Sequence, residues 1–528
     1  MSFLTRILAI ILVLGSLEVQ GQSPKAPLSR VINVPSTIQI APSLSGDGRH
    51  MIFTTSANLT SELLLHYSSL SSSGKWSQPE PLAVINRSQK INHLGGYSLS
   101  YDGNYIFFSS RKTYGIGKYD IWYSEKMGNS WSAPKNLAKP VNSASNDGCP
   151  SLSADGQYLY FVRCATMDQK NATGCVLMVS KKRNKSEWGE PKALPAQVND
   201  GNILSPKILA DGETLIYAKG EGDAMDLYQT RKTSEGWSKP VALDYVNSSK
   251  NERFVSVPGQ GDVLYYSTMF QGTYDIIKAK IPSQFQPNKV VLLKGEVLDK
   301  SHQKPLEAFI QLYDLKGQEL KQFHRTNEND GSFEFYIPGG RTYDFSVVAL
   351  DQKHTFYSEQ MDLRDLSISS RQKLKVELES LAPAVSFQLN GLEFDNDSTL
   401  NEQASFDMSR LFKMMKNNPQ TQIEIAVHRE EWEEDTLTLE QDTVYMEESL
   451  ALQATDSLTN TDSMLVEPPP PPPDPTEVQA ETIVQYLLRK GVPEHLLVAK
   501  GYADTQPIAP NDTEQNRQLN RRIEIRIL

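Results

Sequence analysis

The stretch Leu99–Ser110 reads LSYDGNYIFFSS. A short apolar segment meets Asp102-Gly103, and an alternating aromatic segment follows. This predicts two strands joined by a tight turn, because Gly accepts the positive φ that such turns require. Four other stretches align with it without gaps: LSGDGRHMIFTT from Leu44, LSADGQYLYFVR from Leu152, ILADGETLIYAK from Ile208 and VPGQGDVLYYST from Val257. In the last, Gln260-Gly261 replaces Asp-Gly. Each copy leads into a third strand: LLLHYSS, YDIWYSE, CVLMVSK, MDLYQTR and YDIIKAK. Four copies then carry Trp-x-x-Pro, at Trp76, Trp131, Trp188 and Trp237. A period of roughly fifty residues predicts a repeated four-stranded unit, with the Trp element as its fourth strand.

The fifth copy lacks the Trp element. However, PLSRVINV at Pro27–Val34 is similar to the stretch after each Trp motif, such as PKNLAKPVN. The expectation is that this segment completes the fifth unit and leaves no open sheet edge. The fold expected over 27–288 is a five-bladed β-propeller. The Asp-Gly turns and Trp-x-x-Pro spacing resemble the TolB-type, WD40-like propeller family. The repeated Asp residues read as turn chemistry. The Trp residues suit packing between blades, with stacking on a sugar as the alternative. No Ser, His and Asp form a nucleophile motif, so the segment reads as a scaffold for an unidentified protein partner. A propeller that binds or cleaves glycans is the rival.

The chain has 528 residues, 39% hydrophobic, with 22 Tyr and a net charge of −11. The acidic balance argues against nucleic acid, since no basic field would attract phosphates. Residues 1–21 read as a cleavable secretory signal: Arg6, then ILAIILVLGSL, then Val19-Gln20-Gly21. An uncleaved anchor is the alternative, although the apolar run is short for a span. No further transmembrane segment is expected in the mature chain. Of three cysteines, Cys164 and Cys175 bracket ATMDQKNATG between two strands. They could pair as a disulfide in an exported protein, or remain two thiols, with Cys149 free. No Cys/His set has zinc spacing, so neither metal nor cofactor is expected.

Over 289–380 the strands VVLLKGEVLD, FIQLYDLKG, GSFEFYIP and YDFSVVALD alternate with turns. NDGSFEFYIPGGRTYDFSV resembles the carboxypeptidase-regulatory-like β-sandwich family, which is non-catalytic. A seven-strand sandwich is expected.

Residues 383–528 predict the order β-α-β-α-β-β. The strands are VSFQLNGLEFD, QIEIAVH, LLVAKGYAD and NRRIEIRIL. The helices are LNEQASFDMSRLFKMMKNNP and PTEVQAETIVQYLLRKG, the latter with Pro475 at its start and Gly491 at its end. Phe394-Asp395, IEI before His428 and GYADTQPIAPNDTEQNRQLNRRIEI resemble the OmpA-like peptidoglycan-binding family. That resemblance implies a pocket for the diaminopimelate of the peptide stem. There an Asp meets the ammonium and an Arg the carboxylate, a contact suited to a guanidinium fork. This chain departs from the pattern. Glu430 stands where the Asp is expected, and Gln479 where the Arg is expected. Arg517 and Arg521 do match the family, and could hold a carboxylate or brace the last strand.

Between Glu430 and Gln479 lies an acidic insertion, 431–474, ending in six prolines at 468–473. Polyproline favours an extended stem. Four tripeptides in it, centred on Thr436, Thr443, Ser457 and Ser463, resemble the O-glycosylation sequon of Bacteroidetes exported proteins. The whole order resembles the OmpA-family proteins of that phylum. The resemblance implies a multidomain, mainly β, non-enzymatic protein of the periplasm and outer-membrane periphery. It would tether a partner to peptidoglycan, with an accessory role in secretion or gliding machinery as one form of that task. The alternative is a protein–protein adaptor with no wall binding.

Overall fold

The computed structural model describes residues 25–430 and 474–528, apart from 57–61, 89–90, 92–95, 112–113, 169–170, 185–186, 223, 271, 393, 397–398 and 402–403. The segment 1–21 and the four candidate glycosylation positions Thr436, Thr443, Ser457 and Ser463 lie outside the described residues. The chain is mainly β and multidomain. It forms two compact units. The first takes the chain through Lys294 and adds Glu334–Arg341 and Leu363–Leu374. The second holds Gly295–Phe333, Thr342–Asp362 and Lys375–Leu528. The 289–380 stretch is thus divided between the units.

The first unit contains five antiparallel sheets built on the repeat. Their first strands are Gln39–Leu44, Tyr97–Leu99, Asn146–Leu152, Ile203–Ile208 and Arg253–Ser256. These strands touch in chain order, and the last touches the first. The outer strand of the fifth sheet is Lys25–Pro27, paired antiparallel with Thr273–Lys280 in the register Ala26 to Lys278. The other outer strands correct the expectation for the Trp element. They lie beyond the proline, at Glu80–Pro81, Lys135–Asn136, Lys192–Ala193 and Val241–Ala242. The Trp itself closes a small hairpin against the end of the third strand, as Trp76 does with Leu70 and Trp188 with Lys182. The reason is local. A proline cannot donate to a ladder, so pairing restarts after it.

An asparagine follows each outer strand. Its side-chain amide copies a backbone ladder, accepting from an N–H and donating to the C=O of one third-strand residue. Asn86 does so with Leu65 (3.0 and 2.9 Å), and Asn142 with Ile121 (2.7 and 2.9 Å). Asn199 does so with Leu177 (2.8 and 3.2 Å), and Asn247 with Leu227 (2.9 and 3.0 Å). The fifth sheet takes its asparagine from the N-terminal segment. Asn33 binds Ile276 at 3.0 and 2.9 Å, across 243 residues of chain.

Two glycines of the repeat serve packing rather than turning. A Cβ on Gly46 or Gly259 would collide with the Tyr336 ring, which also meets Tyr101 edge-on at 5.7 Å. Cys164 and Cys175 sit opposite each other on Tyr158–Met167 and Ala172–Lys181 and are joined in a disulfide. Cys149 lies outside that disulfide and is buried, and burial pushes the pKa of its thiol up to about 11.

In the second unit, Glu319–Arg325, Ala308–Asp314, Thr342–Ala349 and Phe356–Asp362 form an antiparallel sheet. Seven strands span 290–378, the other three ordered Ser332–Pro338, Val290–Asp299, Ser370–Leu378. A second four-stranded sheet has the order Ser386–Gln388, Arg522–Ile527, Ile423–His428, Leu497–Ala503. Its last pair is parallel, as the helical crossover Pro475–Arg489 requires. Ile425, Ile483, Leu487 and Ile525 are wholly buried between sheet and helices, each contributing about 1.5–3 kcal/mol. The expected first strand breaks at Asn390-Gly391 into Ser386–Gln388 and Phe394–Asn396. The carboxylate of buried Asp407 explains the break. It accepts from the Gly391 N–H (3.0 Å), the Ser358 hydroxyl (2.9 Å) and Arg410 Nη1 (2.6 Å).

Replacing Asn142 by Ala strands the buried N–H of Ile121, whose C=O keeps the Leu137 N–H at 3.1 Å. The expected loss is about 1–3 kcal/mol, read as an earlier denaturant transition of the first unit. Asn33→Ala should cost a similar amount despite its distance in sequence.

Candidate functional site

The strand Ile423–His428 ends beside the N-terminus of the helix Pro475–Arg489. Asp474 caps that helix, accepting from Thr476 N at 2.7 Å and Thr476 Oγ1 at 2.6 Å. Pro475 fits the first turn, where its missing N–H is no loss. Gly501 lets the neighbouring strand approach: a Cβ there would clash with the backbone N of Glu477. Arg429 Nη2 lies 3.6 Å from Asp474 Oδ2. Arg429 stands just before the insertion and Asp474 ends it, so an ion pair joins its two roots.

Glu430 comes next. Its Oε2 lies 3.5 Å from Arg521 Nε and 3.9 Å from Arg517 Nε. Both arginines also reach Glu514, at 2.5 Å from Arg521 and 3.1 Å from Arg517. Both come from the helix Glu514–Asn520 or its cap, which sequence reasoning left out. Its signal was there: Thr513 accepts from Asn516 N as an N-cap. Buried Asn520 then fixes the preceding loop, accepting from Ile508 N and Ala509 N at 2.8 and 3.0 Å. Gln479 is half-buried on the crossover helix. Among the described residues, no hydrogen bond joins it to Glu430, Arg517 or Arg521. Three of the four residues singled out in the sequence therefore converge, and Gln479 stands outside the charge cluster. The arrangement is two guanidinium groups sharing two carboxylates at a partly open surface.

Beneath it lies His428, 4% exposed. Its ring stacks on Tyr502 at 5.0 Å and 6°. Burial, with Arg522 and Arg526 nearby, pushes its pKa down to about 4. Arg526 covers the Tyr502 ring at 4.6 Å and pairs with Glu424 and Glu524. Sequence reading passed over this stack, although Tyr502 lies within the GYAD segment that it quoted. No group of carboxylates, histidines or cysteines among the described residues is arranged to hold a metal. No helix among them is long and apolar enough to cross a membrane.

No family model matches the chain. No curated protein matches it. Among solved structures it is similar to TolB from Acinetobacter baumannii, at 13% identity and a TM-score of 0.28, over 46% of this chain and 54% of that one. It is similar to the periplasmic domain of Helicobacter pylori MotB, at 20% identity and a TM-score of 0.18, over 27% and 73%. It is also similar to an α-L-arabinofuranosidase from Lactobacillus brevis, at 14% identity and a TM-score of 0.35, over 48% and 95%.

His428 binds fewer protons in the folded state than in the unfolded state between pH 4 and 6.5. Stability is therefore full above about pH 6.5 and falls as pH drops toward 4. His324, also pushed down to about 4 by burial, adds to the same window. The readout is the difference between wild type and His428→Gln: the variant should show a shallower loss of second-unit stability from pH 6.5 to 4.

Proposed function

We propose that the chain is a non-enzymatic scaffold of the periplasm and outer-membrane periphery. In this reading the five sheets of the first unit are the blades of a five-bladed β-propeller, closed by Lys25–Pro27. The cyclic contact of the first strands and the five asparagine clamps support it. The propeller docks a protein partner. The 289–380 stretch is a β-sandwich spacer, and residues 383–528 are an OmpA-like domain turned toward peptidoglycan.

The observation that carries the wall reading is the Arg517–Arg521 pair converging on one carboxylate at the end of the Ile423–His428 strand. Two guanidinium groups that hold Glu430 can hold the carboxylate of a diaminopimelate stem. The same observation favours a second reading, a protein–protein adaptor. Glu430 already fills the arginine pair, and Gln479 brings no charge.

The test is sedimentation of the full chain with purified diaminopimelate-type peptidoglycan. It is run beside Glu430→Thr, Gln479→Arg and a deletion of 432–473. Binding by wild type supports the wall anchor, and Arg521→Ala should then reduce it about tenfold, as loss of one charge-assisted bond of about 1.5 kcal/mol implies. Binding by Glu430→Thr or the deletion alone means that Glu430 or the insertion blocks the pocket, and binding by Gln479→Arg alone means that the absent guanidinium is what wild type lacks. No binding by any of them leaves the adaptor.

A further inference from the structure

At the axis of the five first strands lies a cavity of about 20 Å³, lined by Pro42, Ser43, Tyr97, Ser98, Pro206 and Lys207 among others. The position just before each aligned repeat is Ser43, Ser98, Ser151, Lys207 and Ser256, and of these Ser43, Ser98 and Lys207 line the cavity. Three of the serines stitch neighbouring sheets. Leu99 N–H donates to Ser43 Oγ (2.8 Å), Ile208 N–H to Ser151 Oγ (3.1 Å) and Leu44 N–H to Ser256 Oγ (3.0 Å). In the fourth sheet a lysine takes the place of the hydroxyl, so Val257 N–H meets no such oxygen. Ser98 Oγ is buried with no hydrogen-bond partner among the described residues.

Lys207 is 4% exposed. Its ammonium lies 4.4 Å from the centre of the Tyr101 ring. No carboxylate pairs with it among the described residues. Burial alone lowers its pKa, to about 8, so at neutral pH it remains mostly charged. A buried charge is costly unless an opposite charge or hydrogen bonds compensate it. A cavity of this size admits one water-sized occupant. We propose that it is a binding site for a small monovalent anion of the halide class, held by the Lys207 ammonium and the Ser98 hydroxyl. The anion supplies the polar contact missing between the fourth and fifth sheets and gives the unpartnered Ser98 hydroxyl an acceptor. The site is independent of the wall-binding reading.

Bromide is the probe. Crystals of the full chain soaked in sodium bromide should show an anomalous peak in the cavity beside Lys207. In solution, the first unit should melt about 2–4 °C higher in sodium bromide than in sodium gluconate of equal ionic strength. That difference should vanish in Lys207→Met. Should Lys207→Met fail to fold, Ser98→Ala, which keeps the ammonium, should cut the difference at least by half. A cavity without anomalous signal overturns the proposal, as does an equal melting temperature in both salts, or a salt difference that survives both substitutions.

Discussion

A side-chain amide that imitates a strand is the interaction on which the first unit depends. In each sheet the outer strand is only two or three residues long, too short to hold a ladder alone. The asparagine that follows it supplies both a donor and an acceptor to the third strand. It does so at Leu65, Ile121, Leu177, Leu227 and Ile276. These bonds are buried or half-buried, where an unmade hydrogen bond costs most. Because Asn33 serves the fifth sheet, the N-terminal segment is tied to the end of the repeat. Lys25–Pro27 then covers an edge that would otherwise offer unpaired N–H and C=O groups.

The second unit relies on a different device. Arg410 bridges Asp407 of its own helix and Asp344 of the adjacent sheet, with Asp344 and Asp407 both buried. Asp407 also receives Gly391 and Ser358, so its charge is fully met. Removing one member would leave a buried charge alone, which is far worse than lacking the pair. The helix Ala404–Asn417 is thereby held to the four-stranded sheet ending in Phe356–Asp362 within this unit.

The candidate site shows how a core strand can end in an acidic excursion. The strand is closed on both sides by neighbours, in register from Ile423 to His428. Beyond it, Arg429 and Asp474 join the two roots of the excursion. Glu430 turns instead to Arg517 and Arg521. With all four charged groups at least 30% exposed, these pairs add little stability.

The alternation of apolar residues and the Asp-Gly turns determined, from the sequence alone, that the first half is a repeated antiparallel unit, since both are local. So did the helix bounded by Pro475 and Gly491. The similarity of Pro27–Val34 to the other post-Trp stretches was legible too, but the amide bonds that give it a purpose were not. They join residues 243 apart in the most distant case. The short helix Glu514–Asn520 was missed because seven residues carry too little periodicity to stand out. The convergence of Glu430 with Arg517 and Arg521, the stack of His428 on Tyr502, and the isolation of Lys207 from every carboxylate among the described residues were decided only by the tertiary structure. Each depends on which side chains packing brings within a few ångströms, and neither spacing nor composition encodes that distance.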